Sequence, residues 1–178
     1  MKINIGCGPR NFGKDWIHID GGDYDHVNSD DIFLKSYDDE SIELIYASHF
    51  IEYFDRDEIV SLLKSWRKKL KKNAKLRVAV PNFKVCAKLY LDGFYPLDSF
   101  LGPFYGKMKM GTKFIYHKTI FDFKSLYKLL FDVGMRNIDK YDWSKTEHSK
   151  FDDHSQAFLP HMDKQNGTLI SLNVECVK

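Results

Sequence analysis

Cysteine, net charge and long apolar runs are all scarce in this sequence. The three cysteines are widely spaced and form no CxxC pair, which argues against a disulfide framework and predicts reduced thiols. The formal net charge of +2 is too small to indicate nucleic acid or an anionic membrane as a partner. No apolar run approaches the roughly 20 residues that cross a bilayer, and the N-terminal MKINIGCG has no signal-peptide layout. We therefore expect a cytoplasmic protein with no membrane partner.

The composition is that of one folded domain spanning residues 1–178. A chain of this length can bury a sizeable core, and 43% hydrophobic with 29% charged residues argues against a disordered chain. Aromatic residues reach 15%, with 14 Phe and 10 Tyr. Large rings are therefore expected to fill a small core or to line a pocket.

Strand-like and helix-like segments alternate along the chain. Two amphipathic periods predict helices, one capped by Asp55 and one that begins near Asp122 and ends at Gly134. Short apolar runs bounded by turn residues predict six strands, at 2–5, 16–20, 42–47, 74–80, 138–141 and 169–177. This alternation is typical of an α/β fold with a largely parallel sheet.

Residues 85–117 follow no regular period. They combine glycines and prolines with many aromatic residues, and irregular segments of that length are usually functional or mobile. We expect a lid-like insertion that closes over a ligand together with residues 148–163. Six rings are expected to face inward: Phe94, Tyr95, Phe100, Phe104, Tyr105 and Phe114.

The stretch INIGCGPRNFGKDWIHID contains two strand-like pieces joined by a glycine turn. In open α/β sheets a ligand lies beyond the carboxyl ends of the strands, where Gly6 and Gly8 fall and where Asp20 can accept hydrogen bonds from ribose hydroxyls. The third glycine of the dinucleotide fingerprint would fall at Asn11, and residues 9–15 are too few for a proper helix. This disfavours a nicotinamide-dependent oxidoreductase and favours a phosphate-free nucleoside ligand.

Four blocks in chain order resemble the class I S-adenosylmethionine-dependent methyltransferases, especially the compact type 11 group. They are INIGCGP, WIHID, SDDIFLKSYDDESIELIYASHFIEYF and WRKKLKKNAKLRVAVPN. The resemblance covers roughly residues 2–82, with a weaker echo in HKTIFDFKSLYKLLFDVGMRNI. It implies a Rossmann-like, mostly parallel sheet with helices on both faces and an antiparallel last strand.

The same resemblance implies a set of residues that bind S-adenosyl-L-methionine. The glycine turn would face the methionine moiety, Asp20 the ribose, and Asp31 (or Asp30) the adenine amino group. Backbone around residues 47–49 would contact the ammonium end of the cofactor. The implied cofactor-binding residues are Gly6, Cys7, Gly8, Pro9, Asp20, Asp31, Ala47, Ser48 and His49.

The sequence also departs from the family pattern. Asn4 replaces an acidic residue, Arg10 a third glycine and Tyr53 a common histidine, while KKNA stands where a glycine pair is usual. Residues 21–25 are too few for a parallel crossover, which needs about a dozen residues or more. We therefore expect the crossover helices after the first two strands to be short or missing, strand three to be degenerate, and the cofactor to be more exposed than usual.

Four side chains are candidates for catalysis. His49 follows a strand at the ligand edge, where it is either a base or a helix-entry histidine bonded to backbone, and His117 either touches substrate or is an ordinary loop residue. Asp153 and His154 are the candidates in the polar segment HSKFDDHSQAFLPHMD. The histidine and aspartate spacing there matches no metal-ligand motif, so no metal is expected.

The sequence thus predicts an S-adenosylmethionine-dependent methyltransferase that acts on a small-molecule or sugar-type acceptor. The alternative is a non-catalytic module that binds a nucleoside, a cofactor or a partner on a methyltransferase scaffold. The basic run from Lys64 to Lys75 keeps the helical apolar period, so its charges are explained by a solvated helix face. Nucleic acid is accordingly disfavoured as a partner.

Overall fold

A six-stranded sheet forms the centre of the molecule, which a computed structural model describes over residues 1–178. The strands are β1 (Lys2–Ile5), β2 (Trp16–Ile19), β3 (Ile42–Ser48), β4 (Leu70–Pro81), β5 (Met108–Met110), β6 (Lys113–Ile115), β7 (Arg136–Lys140), β8 (Phe158–Leu159), β9 (Thr168–Leu169) and β10 (Ser171–Val177). The helices are α1 (Arg56–Lys69), α2 (Phe83–Leu91), α3 (Leu101–Tyr105) and α4 (Phe123–Asp132). None of them combines the length and apolarity that a membrane crossing requires.

The main sheet has the order β2-β1-β3-β4-β10-β7. β1 pairs in parallel with β2 and β3, and β3 pairs in parallel with β4. β10 runs antiparallel to both β4 and β7, which confirms the antiparallel last strand. No helix lies between β1 and β2 or between β2 and β3, and an isolated bridge from Ile19 to Ser29 is all that remains of the missing strand. The expectation of a reduced fold is confirmed.

Both long helices bury their apolar stripes against the same face of the sheet. Their buried residues join those of the strands in one core of 26 residues. α1 begins with a capping box in which the Asp55 amide donates to the Glu58 carboxylate at 2.9 Å, and Asp122 caps α4 through the Ser125 amide. The α1 residues at the predicted period are buried as expected: Ile59, Leu62, Leu63 and Trp66. Fully burying one such side chain contributes about 1.5–3 kcal/mol.

The opposite face of the sheet is covered by residues 141–157, here called the covering segment. This segment contains two short 3-10 turns and no α-helix, where the resemblance implied helices on both faces. It contacts a polar and aromatic strip of the sheet: the Tyr46 hydroxyl donates to Asp153 Oδ2 at 2.6 Å, and Asn173 Nδ2 donates to the Ser155 carbonyl at 2.8 Å. Its rings of His148 and Phe151 stack on Phe12. Hydrogen bonds and ring stacking therefore hold this segment on the sheet, whereas packed helices cover the other face.

Residues 85–117 are more regular than their sequence indicated. They lie in α2, a 3-10 turn at Leu97–Phe100, α3 and the β5–β6 hairpin. Cys86, Phe100 and Ile170 form a small core of their own, separate from the main one. The absence of a single period therefore reflects short elements of different types, and the expectation of an irregular segment was wrong.

Candidate functional site

A cleft of about 320 Å³ opens at the carboxyl ends of β1 and β2. Four parts of the chain meet there: the turn after β1, the turn after β2, the short stretch after β3, and the β5–β6 hairpin. The covering segment adds one more wall. The residues used below are Gly6, Cys7, Gly8, Pro9, Arg10, Asp20, Gly22, Tyr24, Ser48, Tyr53, Met110, Asp153 and His154. The cleft lies where the sheet topology and the sequence both placed a ligand.

The glycine turn keeps one wall of the cleft free of side chains. Gly6 and Gly8 have φ values of +69° and +53°, in the left-handed region that glycine adopts without strain. The Phe50 ring lies directly against Gly6, so that a Cβ at this position would overlap it. The Gly6 amide donates to the Ile19 carbonyl at 2.7 Å and so attaches the turn to the end of β2. A ligand can therefore approach the backbone of this turn closely.

The Asp20 carboxylate is fixed by two backbone amides. Its Oδ2 accepts from the Gly8 amide at 2.8 Å, and its Oδ1 accepts from the Gly22 amide at 2.7 Å. The residue is 9% exposed and lines the cleft. Each carboxylate oxygen has a second lone pair, so the group can still accept from two ligand hydroxyls while its position stays fixed. This is the donor–acceptor arrangement that a ribose diol requires.

Ser48 also lines the cleft, and its hydroxyl is a buried polar group without a hydrogen-bond partner. Buried hydroxyls in native proteins nearly always have a partner, so Ser48 is an exception. The preceding Ala47 is 1% exposed and belongs to the main core, so that only its backbone remains available to a ligand.

Asp31 lies outside the cleft. Its Oδ2 accepts from both the amide and the hydroxyl of Ser36, at 2.8 and 2.9 Å, and so stabilises the turn that follows it. The expected contact with an adenine amino group has no support from this geometry. Tyr24 lines the cleft, and its ring lies beside Gly22.

Three of the four expected catalytic side chains come together around a residue that the sequence reading missed. Glu52 is fully buried, and neither of its carboxyl oxygens has a hydrogen-bond partner. His49 Nδ1 lies 3.6 Å and His117 Nε2 lies 3.8 Å from Glu52 Oε1. The ring of His154 lies 5.3 Å from that of His49 and faces the cleft. These four residues are called the histidine–glutamate cluster below.

Burial controls the protonation of this cluster. It raises the pKa of Glu52 to about 8 and holds the pKa of His49 well below its usual range. Burial also lowers the pKa values of His117 and His154. At neutral pH the three imidazoles and the carboxyl are therefore mostly uncharged.

Asp153 lines the cleft, but its carboxylate already has partners. Its two oxygens accept from the Tyr46 hydroxyl and from the Ser155 amide. Asp153 therefore holds the covering segment against the sheet and places its neighbour His154 at the cleft. Cys7 also lines the cleft, and burial raises the pKa of its thiol to about 12, which excludes it as a nucleophile at neutral pH.

The hairpin, rather than the aromatic rings, covers the cleft. Met110 lies beside Gly21, on the far wall. None of the six aromatic side chains that were expected to face inward lines the cleft. Phe100 is buried in the small separate core, while Phe94, Tyr105 and Phe114 are exposed. The expectation of inward-facing rings was wrong, because these rings pack on one another or face solvent.

Comparison with known proteins gives the fold. No protein-family model and no curated protein matches the chain. Among solved structures, three methyltransferases described as S-adenosylmethionine-dependent each match 99% of this chain. The one from Archaeoglobus fulgidus has a TM-score of 0.58 and 17% identity over 85% of its own chain, and the one from Methanosarcina mazei has a TM-score of 0.56 and 20% identity over 91% of its own chain. The one from Thermotoga maritima has a TM-score of 0.59 and 14% identity over 81% of its own chain. The chain has the methyltransferase fold. In this fold, the fixed Asp20 carboxylate and the glycine turn line the cleft at the carboxyl ends of β1 and β2.

Proposed function

We propose that this protein is an S-adenosylmethionine-dependent methyltransferase that acts on a small-molecule or sugar-type acceptor. The observation that carries the proposal is the Asp20 carboxylate, held by the amides of Gly8 and Gly22 at a turn free of side chains. A carboxylate fixed in this way binds a ribose diol without further ordering, which favours a nucleoside-bearing ligand.

The residues of the cleft fit the cofactor chemically. Asp20 accepts from the ribose hydroxyls, and the turn of residues 6–9 leaves room for the methionine moiety. Arg10 lines the same cleft and supplies a guanidinium for the cofactor carboxylate. When bound, the cofactor supplies a methyl group already activated on a sulfonium.

What remains for the protein is to orient an acceptor and to exclude water. In-line methyl transfer depends mainly on holding the nucleophile close to the methyl carbon, in line with its bond to sulfur. The β5–β6 hairpin and the covering segment form the walls that keep water from this space. The cleft of about 320 Å³ is within the size range of small-molecule sites.

Calorimetric titration with S-adenosylhomocysteine tests the proposal. The wild-type protein should bind it, and Asp20→Ala should weaken binding by more than about tenfold, since losing a carboxylate bonded to two hydroxyls costs about 1.5–3 kcal/mol. The control is Asp132→Ala, which removes an exposed carboxylate at the end of α4. No heat at millimolar ligand, or equal affinities for wild type and Asp20→Ala, would refute the assignment.

A second candidate is a non-catalytic module that binds a nucleoside or a partner. The absence of a helix after the glycine turn favours it, because the cofactor then has one wall fewer than in the full fold. Turnover of labelled methyl donor with any member of a broad panel of small acceptors would exclude this candidate. Binding of S-adenosylhomocysteine without turnover of any acceptor would support it.

A further inference from the structure

The outer nitrogens of His49 and His117 have partners that fix both tautomers. His117 Nδ1 lies 3.0 Å from the Pro103 carbonyl, which can only accept, so Nδ1 carries the proton. His49 Nε2 lies 3.1 Å from the Ser171 hydroxyl, and that hydroxyl donates to Asn173 Oδ1 at 2.9 Å. The Ser171 oxygen therefore accepts from His49 Nε2. In the neutral rings His49 Nδ1 and His117 Nε2 are left without a proton.

Both unprotonated nitrogens face the same oxygen, Glu52 Oε1. Two lone pairs and a carboxylate oxygen repel one another, and the buried carboxyl has no donor of its own to offset this. One proton held among the three groups removes the repulsion. The side chains of His49, Glu52 and His117 are 12%, 1% and 4% exposed, so water does not supply that proton freely.

The cluster reaches the cleft at two places. His154 lines the cleft and its ring lies 5.3 Å from that of His49, while Tyr53 lines the cleft and packs against His117 with ring centroids 4.6 Å apart. Gly106 has no side chain where the His117 ring lies, and a Cβ there would overlap the ring. The other titratable groups around the cluster are Arg10, Asp152, Asp153 and His161. Of these, Arg10 and Asp153 also line the cleft.

We propose that the histidine–glutamate cluster takes the proton of a hydroxyl acceptor during methyl transfer, with Glu52 as the positioning residue that sets how many protons His49 and His117 hold. This inference rests on the proposed function and narrows the acceptor to a compound with a hydroxyl nucleophile. The hydroxyl oxygen forms the new bond to the methyl carbon, the carbon–sulfur bond breaks with its electron pair left on sulfur, and the hydroxyl proton passes to the imidazole of His154. A hydroxyl needs such a base because its proton must leave as the oxygen attacks.

Nitrogen NMR of the histidine rings tests the inference without an acceptor. At about pH 7 His49 should be protonated only on Nε2 and His117 only on Nδ1. Both rings should show an inflection near the pKa of Glu52, about 8. Glu52→Gln should abolish that inflection, while the control Glu40→Gln, at an exposed carboxylate paired with Lys178, should keep it.

Several results would overturn the inference. A charged imidazole at His49 or His117 at about pH 7 would do so, as would an inflection that survives Glu52→Gln. Stoichiometric binding of Zn²⁺ that Glu52→Gln abolishes would also overturn it, because the carboxyl would then be a metal ligand. If Glu52→Gln fails to fold, infrared spectroscopy of the wild type replaces it: a protonated carboxylic acid band at about pH 7 that disappears above about pH 8 is expected, and its absence counts against the inference.

Cofactor binding separates this inference from the proposed function. Glu52→Gln should still bind S-adenosylhomocysteine, since Glu52 does not line the cleft. With a hydroxyl acceptor, the wild-type rate should rise through about pH 8 and the Glu52→Gln rate should not. If the wild type binds S-adenosylhomocysteine but Glu52→Gln leaves the histidine titration unchanged, the proposed role of the cluster is refuted and the proposed function stands. No binding by the wild type refutes the function itself.

Discussion

Replacing Glu52 by glutamine should stabilise the protein, and by an amount that depends on pH. Burial raises the pKa of Glu52 from its ordinary value of 4.5 to about 8. Between these values the folded protein keeps a proton that the unfolded chain releases, so stability falls as pH rises through this window. At about 1.36 kcal/mol per pH unit, the cost above about pH 8 is about 3–5 kcal/mol. Glutamine is neutral at every pH, and its amide can donate to His49 Nδ1 or His117 Nε2.

Urea unfolding followed by tryptophan fluorescence measures the effect. The difference in unfolding free energy between Glu52→Gln and wild type should be small below about pH 4.5 and should reach about 3–5 kcal/mol near pH 9. The buried histidines lower stability at acid pH, where Glu52 is protonated in both the folded and the unfolded wild type, so the change in the difference between about pH 4.5 and pH 9 reports on Glu52. Glu40→Gln should show no comparable trend. A Glu52→Gln variant less stable than wild type near pH 9 would refute the reasoning, because Glu52 would then be a carboxylate paired with a charged histidine.

Two substitutions and one labelling experiment test the cleft and the covering segment. Gly6→Ala should abolish binding of S-adenosylhomocysteine and cost at least about 1–3 kcal/mol, because φ is +69° and the new Cβ overlaps Phe50; calorimetry and urea unfolding measure this, and retained binding would contradict it. Tyr46→Phe removes the hydrogen bond to Asp153 and should cost about 1.5–3 kcal/mol, with faster amide exchange confined to the covering segment; unchanged exchange there would contradict it. Cys7 should resist iodoacetamide near pH 8 in the folded protein and react in urea, since its thiol pKa is about 12; equal labelling in both states would contradict it.

Much of the fold could be predicted because its signals are local. The apolar periods of α1 and α4, their caps at Asp55 and Asp122, and the strand–turn–strand unit that ends at Asp20 are each written in fewer than about twenty neighbouring residues. The same holds for the shortage of chain between Asp20 and the next strand, which predicted the missing crossover helices. Position at the ligand edge was enough to select His49 as a candidate.

The remaining features depend on contacts between distant parts of the chain. Glu52 is an acidic residue in an apolar stretch. Its place in a cluster of titratable groups depends on two long-range contacts, the approach of His117 to Glu52 and the hydrogen bond between His49 and Ser171. One local signal was present, the spacing of three residues between His49 and Glu52, whose side chains approach to 3.6 Å. The expected adenine contact of Asp31 has a different, local explanation: Ser36, five residues later, donates to its carboxylate in a turn outside the cleft.

The covering segment couples the stability of the fold to ligand binding. It closes the second face of the sheet through Tyr46 and Asn173, and it also carries Asp153 and His154 to the cleft. Detaching it exposes the sheet and removes a wall of the site in one event, so a state with an open face cannot hold the ligand well. A ligand that binds only the closed state adds RT ln(1 + [L]/Kd) to its stability, about 2.7 kcal/mol at a hundredfold excess over Kd. Occupancy of the cleft thus protects amides on the far side of the sheet, at residues that no ligand touches.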